Sequence, residues 1–263
     1  GLTLFIKGKS KLPDLPLPNP LPKEQRGKAI GMGVAILAVV GGLIAAGILR
    51  LDNFSSILLG VVSCISIGYF VMMIKDKQAT EADKRHLIAY IPLFFGMCLF
   101  WAAYLQMYTI VTAYFEETVP RNFGGFEVPV AWLLAFQSTA VIILASLMAA
   151  LWTKMGERQP SSQMKFALAA LVVGVAYAIF IPFLSTNNPM PMPILMVVLV
   201  LITVSELLLS PISLSFATKV APQAFKTQMV SFNFLTLSLG FTLGGVLGDK
   251  LYKPEWATQF YII

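Results

Sequence analysis

The stretch Pro191–Pro222 reads PMPILMVVLVLITVSELLLSPISLSFATKVAP, and near its midpoint stands one carboxylate, Glu206. The run around it is long enough to cross a bilayer, and the other acidic residues lie outside the chain's apolar runs or at their ends. A carboxylate in hydrocarbon costs roughly 2.5–3.5 kcal/mol on insertion scales, so it is tolerated where it faces a cavity or a partner. No Lys or Arg falls in the interior of any apolar run. The counter-charge of Glu206 must then be a proton, a substrate cation or a basic residue from elsewhere. A neutral, hydrogen-bonded structural acid is the alternative. Ser205, Ser210, Ser213 and Pro211 share the stretch, and a proline in a membrane helix frees a carbonyl that neighbours must satisfy.

Three other runs carry polar or aromatic side chains at depth. One holds Trp101, Tyr104, Gln106 and Tyr108, the next Trp132 and Gln137, and the last Asn233, Thr236 and Ser238. Amides in hydrocarbon need partners, either across helices or in a watery cavity. For Gln106, Gln137 and Asn233 the sequence leaves both roles open. Trp101 lies far from either end of its run, where a packed tryptophan and a pocket wall are both possible. His86, beside Lys84 and Arg85, reads as a solvated residue at a helix start. There is no His/Glu zinc spacing, no close pair of intramembrane Asp and no Ser–His arrangement, so neither an enzyme nor a metal or other cofactor is expected. Cys64 and Cys98 both fall inside apolar runs, where a disulfide has no evident purpose.

The elements that must position these residues follow from composition. The chain is 57% hydrophobic and 12% charged, against about 25% charged in soluble domains, so an all-α polytopic membrane protein in a lipid bilayer is expected. The net charge of +6 is dispersed over loops rather than gathered on a polar domain, which argues against nucleic acid. Residues 1–6 read as the end of a helix, and Pro13, Pro16, Pro18, Pro20 and Pro22 make an extended linker through about residue 27. Seven spans follow, at about 28–49, 54–74, 87–115, 128–152, 163–184, 191–222 and 225–248. The short turn after Arg50 makes the first two an antiparallel hairpin, 28–74, with a linker at 75–86 and a larger bundle at 87–263. The tail from Trp256 reads as the start of another helix, so the chain is expected to be a fragment. All basic residues except Arg50, Arg121, Lys250 and Lys253 fall on one side of this arrangement. That side is expected to be cytoplasmic in the cell membrane.

At this point the residues resemble a known family. Glu206-Leu207, Ser210-Pro211, Leu214-Ser215, Thr218-Lys219 and Ala221-Pro222 are similar to the tenth-helix signature of the proton-dependent oligopeptide transporters, a branch of the major facilitator superfamily. Leu99-Phe100-Trp101-Ala102 with Gln106 resembles the seventh-helix motif. Glu127-Val128-Pro129 with Trp132, Leu151-Trp152-Thr153-Lys154, and Lys165-Phe166-Ala167-Leu168 resemble the eighth helix, its cytoplasmic end and the ninth helix.

The resemblance implies the carboxy-terminal half-bundle of the major facilitator fold, lacking most of its last helix, with an inserted hairpin at 28–74. It implies proton-coupled symport of di- and tripeptides by alternating access, with the amino-terminal half as the missing partner. It places the peptide amino terminus and proton coupling on Glu206, a side-chain pocket wall on Trp101, and further substrate contacts on Gln137, Asn233, Ser210 and Gln106. Two residues depart from the pattern. Leu105 stands where many members have a protonating glutamate, and Asn233 where many have an aromatic. A related carrier of another small solute and a non-transporting scaffold are the alternative readings.

Overall fold

In the computed structural model, residues 23–50, 52–77, 79–184, 188–221, 225–251 and 263 are described. The chain divides into two compact units, Gly1–Asp52 and Asn53–Ile263.

In the first unit, helix α1 covers Lys23–Ala45. It begins right after the last proline of the linker, Pro22, so the extended segment expected through residue 27 gives way to helix earlier; residues 1–22 lie outside the described residues. The helix also ends earlier than the expected 49. Gly47 adopts φ 69°, its N–H donates to the Ile44 carbonyl and that of Ile48 donates to the Leu43 carbonyl. This is a glycine-terminated helix end that closes the last carbonyls. The apolar part, Ile30–Ala45, is shorter than the other spans.

The second unit contains α2 (Phe54–Lys75), α3 (Glu81–Leu105), a π-helical turn (Met107–Val111), α4 (Thr112–Glu117), α5 (Ala131–Met155), α6 (Ser162–Ala178), α7 (Met192–Val220) and α8 (Lys226–Leu251). Among the described residues six helical stretches are long and apolar enough to cross a membrane: Phe54–Lys75, Glu81–Glu117, Ala131–Arg158, Ser162–Phe183, Met192–Val220 and Gln228–Gly248. The seventh expected span is the shorter α1.

Helix α3 starts before the expected residue 87 because Thr80 and Asp83 cap it reciprocally. The Asp83 N–H donates to the Thr80 hydroxyl at 3.2 Å and the Thr80 N–H to the Asp83 carboxylate at 3.0 Å. This capping box satisfies donors that the helix start leaves open. The loop after α4 carries a small hairpin, β1 (Asn122–Phe123) with β2 (Phe126–Glu127), absent from the all-helical expectation. Gly124 and Gly125 both have positive φ, which two-residue hairpin turns favour.

Packing is set by side-chain size and ring contacts, since lipid gives apolar helices little reason to associate. Helix α8 crosses α3 at Gly240 and Gly244. A Cβ at Gly240 would collide with the Trp101 Cβ and come within 2.6 Å of the Cys98 carbonyl; one at Gly244 would lie 2.9 Å from the Ala102 carbonyl. Helix α2 joins the same bundle through rings, Phe70 meeting Phe232 at 4.6 Å and Phe94 at 5.3 Å. The boundary between the two units therefore falls inside the stretch expected as a hairpin, with α2 grouped with the bundle. Helix α7 lies against α6, α5, α8 and α3, which places Glu206 in its midst.

Candidate functional site

Glu206 is half-buried on α7. Its Oε2 accepts a 2.6 Å hydrogen bond from the Tyr104 hydroxyl on α3. The Gln137 amide on α5 in turn donates to the Tyr104 oxygen at 3.2 Å, and the Tyr108 hydroxyl lies 3.5 Å from it. Side chains of α5, α3 and α7 thus form one chain of hydrogen bonds that ends on the carboxylate. Trp101, one turn before Tyr104 on α3, sets its ring edge-on to the Tyr104 ring at 5.5 Å and to Phe241 of α8 at 6.0 Å. Ion pairs form between Lys84 and Glu81 and between Arg121 and Glu127; Glu206 has none among the described residues. In a medium of low dielectric a carboxylate without a cation attracts one strongly, so the arrangement can bind an ammonium group or a proton.

The structure therefore brings together Glu206, Gln137 and Trp101, through a residue the site expectation omitted. Tyr104 is the hub. Its signal in the sequence was the spacing Trp101, Tyr104, Tyr108, which puts three amphipathic rings on one helical face. Ser210 is half-buried one turn after Glu206, and its carbonyl accepts from the Ser213 hydroxyl at 2.9 Å.

Gln106 and Asn233 have other partners. The Gln106 amide donates to the carbonyls of Ala102 at 3.1 Å and Gly244 at 3.3 Å, and its oxygen accepts from Thr109 at 3.0 Å. It joins α3 to α8 beside a cavity of about 270 Å³ whose other lining includes Leu99, Ala102, Ile110 and Leu247. The residue also accepts the wide bond of the π turn, the Val111 N–H reaching its carbonyl at 2.9 Å. Asn233 accepts from the Tyr90 hydroxyl at 3.2 Å and donates to Ser213 at 3.4 Å. That cluster lies about two turns, roughly 10 Å, from Glu206 along α7.

Comparison with known proteins settles the lineage. The POT family (PTR2) profile matches residues 48–262. The chain belongs to the POT family. It is 35% identical over 246 residues to the uncharacterized transporter YclF of Bacillus subtilis (strain 168), covering 90% of this chain and 49% of that protein. It is 32% identical over 240 residues to a di-/tripeptide transporter of Lactococcus lactis subsp. lactis (strain IL1403), covering 88% and 48%. A crystal structure of a mutant peptide transporter POT in complex with alafosfalin superimposes with a TM-score of 0.84 at 32% identity, covering 99% of this chain and 54% of that one. The chain thus has the helical, membrane-spanning architecture of POT transporters of the major facilitator fold, and spans about half the length of the POT relatives it matches.

Proposed function

We propose that this chain is the carboxy-terminal half of a proton-coupled symporter of di- and tripeptides in the cell membrane, with its basic loops cytoplasmic. The observation that carries the reading is Glu206, held near the middle of α7 by Tyr104 at 2.6 Å with no ion-pair partner among the described residues. A pure scaffold gains nothing from such a group. A carrier of small ammonium-bearing solutes needs one. POT relatives of this chain include a di-/tripeptide transporter and a peptide transporter crystallised with alafosfalin, which supports peptides as the solutes. The substrate path then lies between this half and an amino-terminal half, and transport is the rocking of one against the other. Glu206 takes the peptide ammonium or a proton, Gln137 and Ser210 contribute polar contacts, and Trp101 walls a side-chain pocket. Gln106 and Asn233 act on the site indirectly, by holding α3 and α7 against α8.

The test is uptake by the full-length transporter in liposomes under an inward proton gradient. Saturable dialanine uptake, inhibited by other dipeptides but not by single amino acids, nitrate or sugars, is the expected result. Absence of dialanine uptake, with saturable uptake of one of those solutes instead, would establish a carrier of another substrate class.

A further inference from the structure

The hydrogen bonds around Tyr104 have a direction. Its phenol has one proton, and the 2.6 Å contact assigns that proton to Glu206 Oε2. The Gln137 nitrogen can only donate, so the 3.2 Å contact assigns a lone pair of the same phenol oxygen to the amide. With its proton committed, Tyr104 can meet Tyr108 only as acceptor. The chain therefore runs Gln137 to Tyr104 to Glu206, and the hydroxyl is held against rotation from both sides. Phenol-to-carboxylate bonds of this length are charge-assisted and roughly twice as strong as neutral ones. One carboxylate oxygen is fixed in place and the other is left to a ligand.

Resting on the peptide-carrier reading above, we propose that Tyr104 is the positioning residue that makes Glu206 selective for a free ammonium over a blocked amine. An ammonium carries full charge and three donors, and gains from a carboxylate whose orientation is already set. An acylated nitrogen carries one weak donor and gains little from it. Orientation before binding lowers the ordering cost of the complex, and a site built for a polar group rejects the analogue that lacks it. The ring of Tyr104 packs separately, against Phe100, Trp101 and Tyr108. Selectivity therefore resides in the hydroxyl, and Tyr104→Phe removes it while leaving the ring contacts.

The experiment compares full-length wild type and variants in liposomes, measuring dialanine uptake and its inhibition by unlabelled dialanine and N-acetyl-dialanine. Tyr104→Phe should raise KM for dialanine about tenfold with Vmax within about twofold, and shrink the free-to-blocked selectivity ratio by about the same tenfold. In dialanine binding, Tyr104→Phe combined with Glu206→Gln should be no weaker than Glu206→Gln alone, because the two act as one unit. If Tyr104→Phe does not reach the membrane, Gln137→Met decides: it removes the donor that directs the hydroxyl and should move the ratio the same way, by about threefold. An unchanged ratio, a fall in Vmax alone, or additive losses in the double variant would overturn the proposal. Absence of wild-type dialanine uptake would overturn the peptide reading together with this proposal, whereas wild-type uptake with an unaltered variant ratio overturns this proposal alone.

Discussion

Two polar clusters sit along α7, and they differ in what they leave open. Around Ser213, the members Tyr90, Asn233 and Ser213 are 1%, 3% and 4% exposed and bond to one another across α3, α8 and α7. Around Glu206, the donors also converge from neighbouring helices, but the carboxylate is only half-buried and Tyr108 is 42% exposed. The first cluster is closed upon itself, and the second ends on a carboxylate with no ion-pair partner among the described residues. On the function proposed above, similar residue types in one membrane serve cohesion in one place and recognition in the other. Satisfied hydrogen-bonding capacity separates them.

The sharpest way to break both clusters together is to push α3 and α8 apart. Gly240→Leu should lower the stability of the full-length transporter by about 3 kcal/mol or more, since the new side chain meets Trp101 and the Cys98 carbonyl. A marked fall in melting temperature in detergent, with loss of peptide binding, is the expected result. Breaking only the closed cluster should cost less. Asn233→Leu leaves Tyr90 and Ser213 without their amide and should destabilise by about 1–2 kcal/mol, with KM for dialanine unchanged within about twofold. A large KM change with unaltered melting would move Asn233 into the binding site.

At the open cluster, Trp101→Phe keeps an aromatic ring against Tyr104 and should cost under about 1.5 kcal/mol in stability. It should nevertheless reorder the affinities of dipeptides with different side chains, because pocket volume changes while charge does not. A uniform loss across the peptide series would mark the tryptophan as packing only. Ser210→Ala should have the smallest effect, a KM shift of about twofold or less, because a neutral hydroxyl beside a charge adds little.

The sequence made the carboxylate visible and hid its setting. Glu206 stands out because one acid in a long apolar run carries its own energetic argument. Gln137 and Asn233 could not be told apart from sequence, because both are amides at depth and only tertiary partners distinguish them. Tyr104 stands among the polar side chains at depth but could not be assigned to the site from sequence, since its carboxylate partner lies 102 residues away in the chain. The π turn at Met107–Val111 has no compositional mark, arising instead where Gln106 reaches across to α8. Helix ends were less legible: the apolar run through Ile48 and Leu49 concealed the stop at Gly47, and the charged stretch Glu81–Arg85 concealed a helix start that Thr80 and Asp83 spell out.

Glu206 is the acid proposed to couple substrate and proton, and one substitution tests that role. Glu206→Gln keeps the shape and can still meet the Tyr104 hydroxyl, while removing the charge. In the full-length transporter, reconstituted at wild-type abundance, it should abolish accumulation of dialanine against its gradient when an inward proton gradient is imposed. Accumulation at the wild-type level in that variant would contradict the account.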